Sequence, residues 1–318
     1  MREFVIGVND AGQRIDKFLL KACPKLPKSL LYKTFRKKDV KINGKRVSAE
    51  LFVAAGDTVQ VYLPDDCFGE TVHHAPQAAL PLPEIAYEDA DIVILRKPVN
   101  LPVHADNEGA SDTLAGRFVY YLAQSGSYDA AAEQSFTPAL CNRLDRNTEG
   151  FVIGAKNAAA LRCMNEKIRL GEVRKQYLCV TVGQPPRACD TVTAYHAETS
   201  GNRVRLYDAA GEGRREIRTG YEVLAVREGL ALVLVTLYTG RKHQIRAQMA
   251  ALGAPVLGDG KYGDAAANRQ YGERHQLLAA CRLRFDFSEA DCPLAYLRGK
   301  TFAYTPDFCA RYAFECSV

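Results

Sequence analysis

The chain reads as an α+β protein whose larger part is built on a mixed or antiparallel sheet and preceded by a small basic α/β module. Three observations predict this. Apolar residues make up 47% of 318 positions, enough for a sizeable core and for two domains. In the second half, strand-like runs do not alternate regularly with helical ones, which argues against a doubly wound parallel sheet. Charge is uneven: residues 14–48 hold twelve Lys/Arg against two acids, a local +10 in a chain of net charge +5. The expected boundaries are 1–63 for the basic module, 64–83 for a linker and 84–318 for the large domain.

In the basic module, Ile15, Phe18, Leu19 and Ala22 recur at helical spacing until Pro24 and Pro27 intervene. Ser29 is the expected N-cap of a second helix over 30–38, with Leu31 and Phe35 inward and Lys28, Lys33, Arg36 and Lys37 outward. Asn43-Gly44, between 40–42 and 45–47, signals a type I′ hairpin that carries Lys45 and Arg46. A strand follows over 58–63, with Val59 and Val61 on one face. A basic face of this kind attracts polyanions by releasing their condensed counterions. A purely solubilising face would interleave acids, and only Asp16 and Asp39 are present. Nucleic acid is therefore the expected partner.

Residues 64–83 are rich in Pro and poor in bulky side chains, as a linker would be. Its adjacent His73 and His74 point opposite ways in an extended chain and are read as solvated. The large domain opens with strands over 85–89 and 91–98. A helix is expected over 113–124, with Leu114, Phe118 and Leu122 inward. Asn157 caps another helix (Leu161, Met164, Ile168 inward) that Gly171 ends. The strand over 174–183 puts Leu178, Val180 and Val182 on one face and Tyr177, Cys179 and Thr181 on the other. Further strands are expected over 191–195, 203–207, 216–226 and 230–237.

The chemistry concentrates in L-C-N-R-L-D-R-N-T-E-G-F-V-I-G-A-K, residues 140–156. A polar cluster, then Gly150, then β-branched residues reads as a loop feeding a buried strand. Asp145, flanked by Arg143 and Arg146, is where an ionised carboxylate could be held for reaction. The same residue types also suit an ordinary surface turn. A second cluster, T-G-R-K-H-Q-I-R at 239–246, opens a helix carrying Ile245, Met249 and Leu252. Cations near a helix N-terminus oppose the macrodipole, so Arg241 and Arg246 need another reason to be there. Arg241 can reach an anion or a carboxylate.

Other classes find little support. Ten Cys include no C-x-x-C and no zinc-ligand spacing with His, so no metal is expected. Residues 255–263 are glycine-rich but match no phosphate-binding fingerprint, so no nucleotide cofactor is expected. The N-terminus lacks the apolar run of a signal peptide, and the apolar stretch 229–238 is too short to span a bilayer. A cytoplasmic protein without membrane association is the expectation.

Taken together, R-I-D-K-F-L … V-x-I-N-G-K-x-V … G-D-x-V resembles the S4 RNA-binding domain. R-L-D-x-x-T-x-G, K-x-Y, T-G-R-x-H-Q-I-R and G-x-P-V-x-G-D-x-x-Y-G, in that order, resemble the RluA family of RNA pseudouridine synthases. The T-G-R-K-H-Q-I-R stretch favours this branch over the RsuA type. The resemblance implies a central mixed, mainly antiparallel sheet behind an S4 domain. It also implies conversion of specific uridines to pseudouridine: the N1–C1′ bond breaks, the base turns, and C5 joins C1′. It assigns Asp145 as the catalytic aspartate and Tyr177 as the tyrosine packed on the base, a candidate acceptor of the C5 proton. Arg241 becomes the arginine paired with the aspartate, and Arg143 the residue that fills the gap left by the flipped nucleotide. His243 and Arg246 join Lys28, Lys33, Arg36, Lys37, Lys45 and Arg46 as expected RNA contacts.

The isomerisation is redox-neutral and needs neither metal nor cofactor. It needs a carboxylate that stays ionised while buried, which a guanidinium favours, and a base extruded from its stack. Attack at C1′, addition at C6 and removal of the 2′ proton are all compatible with these residues. The expected substrate is ribosomal RNA of the large subunit, taken by a monomer. Transfer RNA and a non-catalytic RNA-binding role are the alternatives; an N-glycosylase would release uracil instead. Asn142, Glu149, Asn100 and Gln248 depart from the family pattern and are expected to bear on substrate choice.

Overall fold

The computed structural model describes residues 1–68, 80–105, 110–288 and 292–316. His73, His74 and most of the linker lie outside these residues. The N-terminal part contains β1 (Arg2–Val5), α1 (Ile15–Ala22), α2 (Lys28–Arg36), β2 (Val40–Ile42), β3 (Lys45–Arg46) and β4 (Thr58–Val61). Its sheet runs β1-β4-β2-β3. Ile15, Phe18, Leu19, Leu31, Val59 and Val61 are fully buried in one small core. Asn43 and Gly44 both have positive φ, as a type I′ hairpin requires. Ser29 does not cap α2: the helix begins at Lys28, with Pro27 at the cap position. Proline's fixed φ and missing N–H suit a helix start.

The large part continues with β5 (Glu84–Glu88), β6 (Ile92–Lys97), α3 (Leu114–Gln124), β7 (Ala139–Leu140), β8 (Glu149–Ala155) and α4 (Ala158–Arg169). Then come β9 (Val173–Val182), β10 (Cys189–Thr199), β11 (Arg203–Tyr207), β12 (Arg215–Arg227), β13 (Leu230–Leu237) and α5 (Gln244–Ala251). It ends with α6 (Ala265–Gln270), β14 (Leu278–Phe285), β15 (Thr301–Ala303) and α7 (Asp307–Arg311). Thr113 and Asn157 cap α3 and α4 by accepting from Gly116 N and Ala160 N.

Among the described residues the main sheet has eleven strands in the order β11-β10-β12-β13-β9-β14-β8-β6-β5, with β15 on β14 and β7 on β8. Only β14 and β8 pair in parallel; the other pairings are antiparallel. The α+β class with a mixed, mainly antiparallel sheet is therefore as expected. The parallel join depends on Gly150. Its φ is +116°, and a Cβ there would lie 2.3 Å from the Ala280 carbonyl oxygen. Only glycine lets β8 approach β14 so closely.

The alternation along β9 separates two cores. Tyr177 and Cys179 pack with Leu114, Phe118 and Leu122 of α3 and with Ile245 and Met249 of α5. Leu178 and Val180 pack on the opposite side with Ala267 of α6 and Phe308 of α7. Gly154 of β8 admits the α3 ring: a Cβ there would meet Phe118 at 2.6 Å. The candidate site lies at the rim of the Tyr177 face, where the loop before β8 meets the start of α5.

Candidate active site

The loop before β8 is tied down by its own polar residues. Asn142 Oδ1 accepts from Ile153 N at 2.8 Å, and Thr148 N donates to the Asp145 carbonyl at 3.0 Å. Lys97, fully buried at the end of β6, donates from Nζ to the carbonyls of Pro98, Leu101 and Arg146, each at 2.8 Å. Burial pulls its pKa down to about 7, with Asp145 and Glu149 opposing. Three carbonyl acceptors need three hydrogens, so the geometry calls for the ammonium form. The loop after Lys97 turns at Asn100, whose φ of 62° is left-handed, a conformation that asparagine tolerates.

The start of α5 is built around Gln244. Its Oε1 accepts from Thr239 Oγ1 and Arg241 N, both at 3.0 Å. Its Nε2 donates to Thr219 Oγ1 at 3.0 Å and to the Arg218 carbonyl at 3.2 Å. His243 enters the helix in the left-handed region, with φ 53°. This turn leaves Arg241 exposed and aims Arg246 inward.

Arg246 is the residue that pairs with Asp145: Nη1 donates to Oδ2 at 2.8 Å. Its Nε and Nη2 form a bidentate pair with Asp259, at 2.7 and 2.8 Å. Asp259 is itself almost fully buried and accepts from Lys261 N and Tyr262 N. Burial opposes the Arg246 charge, but Asp259 and Asp145 outweigh it and hold its pKa above the ordinary guanidinium value. Burial also works against the Asp259 carboxylate, and the Arg246 hydrogen bonds reverse that effect, holding its pKa below the usual range. One guanidinium thus joins two carboxylates, and Asp145 keeps 22% of its side chain exposed to the cavity.

Two sequence expectations are corrected here. Arg241 does not reach Asp145; the ion pair comes from Arg246, five residues later, because the turn at His243 faces Arg241 outward. Arg246, expected as an RNA contact, is buried, and its guanidinium is committed to Asp145 and Asp259. The macrodipole objection resolves too, since two carboxylates offset this cation near the helix start.

His243, also expected to contact RNA, is only 8% exposed. Burial is the main reason its pKa falls to about 4, with Asp145 opposing and Arg246 reinforcing, so it is neutral near pH 7. The Tyr262 hydroxyl accepts from Val204 N and lies 2.9 Å from His243 Nδ1, to which it can give its own hydrogen. That leaves the imidazole hydrogen on Nε2, 3.9 Å from Asp145 Oδ2.

Asp145, His243, Gln244 and Arg246 line a cavity of about 980 Å³, within the range of ligand pockets. Tyr177 forms part of its wall and is 6% exposed. Burial, with the Asp145 carboxylate adding, raises its phenol pKa, so the ring is neutral and suited to stacking on a flat base. Arg143, exposed, and Arg241 also line the cavity. Lys28, Lys33, Arg36, Lys37, Lys45 and Arg46 are all exposed on the N-terminal module, apart from this cavity. The sequence reading missed the roles of Asp259 and Lys97. Their signal was present in G-D-x-x-Y-G and in Lys97-Pro98, but burial and hydrogen-bond partners are not written in a motif.

The Asp145–Arg246 ion pair beside Tyr177 offers a carboxylate suited to acid–base or nucleophilic work. The model of the RNA pseudouridylate synthase family matches residues 91–251, a span that includes Asp145, Tyr177 and Arg246. The chain belongs to that family. Its activity is isomerisation of uridine to pseudouridine in RNA. The ribosomal large subunit pseudouridine synthase C of Pasteurella multocida is 32% identical over 298 residues, covering 90% of this chain and 86% of that protein. The protein of the same name from Vibrio vulnificus is 30% identical over 295 residues, covering 89% and 88%. Human RNA pseudouridylate synthase domain containing 4 superposes with a TM-score of 0.57 at 22% identity, over 72% of this chain and 91% of that one. That likeness is one of fold.

Arg241 gives a test of the corrected assignment. Arg241→Ala is expected to leave kcat nearly unchanged while weakening RNA binding and lowering the salt slope by about one. Filter-binding titrations across a salt series and single-turnover rates measure both. A loss of turnover as large as that of Asp145→Asn would return Arg241 to the reacting centre.

Proposed function

We propose that this pseudouridine synthase acts on large-subunit ribosomal RNA, with Asp145 as its catalytic residue, Tyr177 as the base-stacking residue and Arg246 as the ion-pair partner that positions Asp145. The observation that carries the reading is the 2.8 Å pair between Asp145 and Arg246 at the floor of a cavity walled by Tyr177. Arg246 gives the carboxylate a charge-assisted hydrogen bond from a guanidinium that Asp259 already holds in place. Arg143 stands at the cavity rim, where it can replace the extruded nucleotide in the stack. The names of the bacterial relatives, which extend over nearly the whole chain, support ribosomal RNA of the large subunit as the substrate.

In this reading residues 1–63 are an S4-like RNA-binding domain, 64–83 a linker and 84–318 the catalytic domain. The small four-stranded sheet and the exposed cations of α2 and β3 favour this division. Asp16, one of the module's two central acids, is fully buried and held by Arg14 and Tyr32, so it does little to dilute the basic face. The same reading places its action in the cytoplasm; no described helix is long and apolar enough to cross a membrane. Deleting residues 1–83 is expected to weaken RNA binding and flatten its salt dependence by several units of slope. An unchanged slope in the same filter-binding series would remove the module from the binding account.

The deciding assay incubates purified protein with a large-subunit ribosomal RNA transcript and analyses the nucleosides. Pseudouridine without free uracil is the expected product. Released uracil would indicate a glycosylase. Modification of a transfer RNA transcript instead would move the substrate and keep the chemistry.

A further inference from the structure

Lys175 lies on β9 two residues before Tyr177, so both side chains leave the same face of the strand. Both line the cavity. Lys175 is half-buried, and its ammonium makes no hydrogen bond or ion pair with any described residue. The two carboxylates of the cavity wall are committed elsewhere: Asp145 to Arg246, and Glu198 to Lys242 at 3.0 Å. Burial lowers the Lys175 pKa, and no charge among the described residues offsets that effect. A cation removed from water without a counter-charge is unfavourable unless a ligand supplies one. The neighbouring space is open. A Cβ at Gly240 would meet Lys175 Nζ at 3.9 Å and no other heavy atom within 4 Å outside its chain neighbours.

The cavity as a whole has the matching sign. Its lining carries seven Lys/Arg and two carboxylates, an excess suited to a polyanion. Along the strand, Lys175 is two residues from Tyr177, about 7 Å. That separation resembles the one between a nucleobase and its own phosphate. A neutral carbonyl of uracil would not supply the missing charge, whereas a phosphodiester would.

We propose that Lys175 forms a phosphate subsite inside the cavity, contacting a backbone phosphate adjacent to the extruded uridine. Lys175 thereby sets how deep the nucleotide sits against Tyr177 and Asp145. This rests on reading the cavity as the uridine site, but it concerns binding and requires no turnover. Its failure would leave an isomerisation result standing, and an inactive enzyme would leave the binding comparison intact.

The test titrates the full-length protein with uridine, uridine 3′-monophosphate and uridine 5′-monophosphate, followed by NMR. In the wild type, one monophosphate is expected to bind about tenfold more tightly than uridine, as one charge-assisted contact provides. Lys175→Met is expected to abolish that preference and leave uridine binding unchanged, while Lys175→Arg retains part of it. Lys175→Gln repeats the comparison with a polar neutral side chain. Thermal unfolding should be unaffected or slightly raised in Lys175→Met, because an unpaired buried charge is removed. Equal binding of uridine and both monophosphates by the wild type would overturn the proposal. So would a preference that survives in Lys175→Met and Lys175→Gln.

Discussion

Asp145→Asn is expected to reduce isomerisation by at least about 10³-fold, the scale of losing a group on which the chemical step depends. RNA affinity should change little, because the basic module and the cavity rim carry most of the phosphate contacts in this account. Asparagine keeps the size and one acceptor oxygen but cannot hold negative charge, attack carbon or accept a proton. Single-turnover rates and filter binding on the same RNA separate the two effects. Turnover within a fewfold of wild type would remove Asp145 from the chemistry. A parallel loss of binding would recast it as a structural residue.

The second large effect is expected at Asp259, which touches no substrate in this account and acts through Arg246. Asp259→Ala breaks a bidentate ion pair that is almost wholly buried. Removing one partner of such a pair costs about 3–5 kcal/mol, measurable by denaturant unfolding. Arg246 would then be free to turn away from Asp145, and turnover should fall even where the protein remains folded. Asp259→Asn preserves acceptor geometry and removes only the charge. It should keep more stability and more turnover than Asp259→Ala, because Arg246 stays in place. Wild-type turnover in a folded Asp259→Ala protein would confine Asp259 to stability. The sign of the pH dependence in the parent protein follows from the lowered pKa of Asp259. The pair contributes stability above the unfolded carboxylate value of about 4 and loses it as pH falls through the folded value.

The large sheet was legible because β-branched runs and their period-two alternation identify buried strands locally. Tyr177 and Cys179 on one face of β9, with Leu178 and Val180 on the other, needed no tertiary information. Strand order was not legible: nothing local to 278–285 says that this segment inserts between β9 and β8. Gly150 recorded that insertion, but a close approach to Ala280 becomes visible only when both strands are present. Asp145 stood out because polar residues crowd around it.

Its partner was misjudged for a geometric reason. Arg241 and Arg246 lie in one motif, and the left-handed turn at His243 decides which of them faces inward. Non-glycine residues enter that region rarely, so helical periodicity alone could not place the two arginines. Asp259 shows the same limit in another form. Its role comes from a contact thirteen positions away in sequence, between a helix and a glycine-rich turn. Asn142 departs from the family pattern, yet among the described residues its side chain bonds to β8 backbone at Phe151 and Ile153. It reads as a fastener of the catalytic loop as much as a selector of substrate.

The most direct test of the central claim is a pseudouridine map of total RNA by carbodiimide-dependent primer extension. It compares cells that contain the gene, cells that lack it, and cells complemented with Asp145→Asn. One or a few signals in large-subunit ribosomal RNA are expected to disappear without the gene, return with the wild-type protein and stay absent with Asp145→Asn. Full restoration of those signals by Asp145→Asn would remove Asp145 from the reaction.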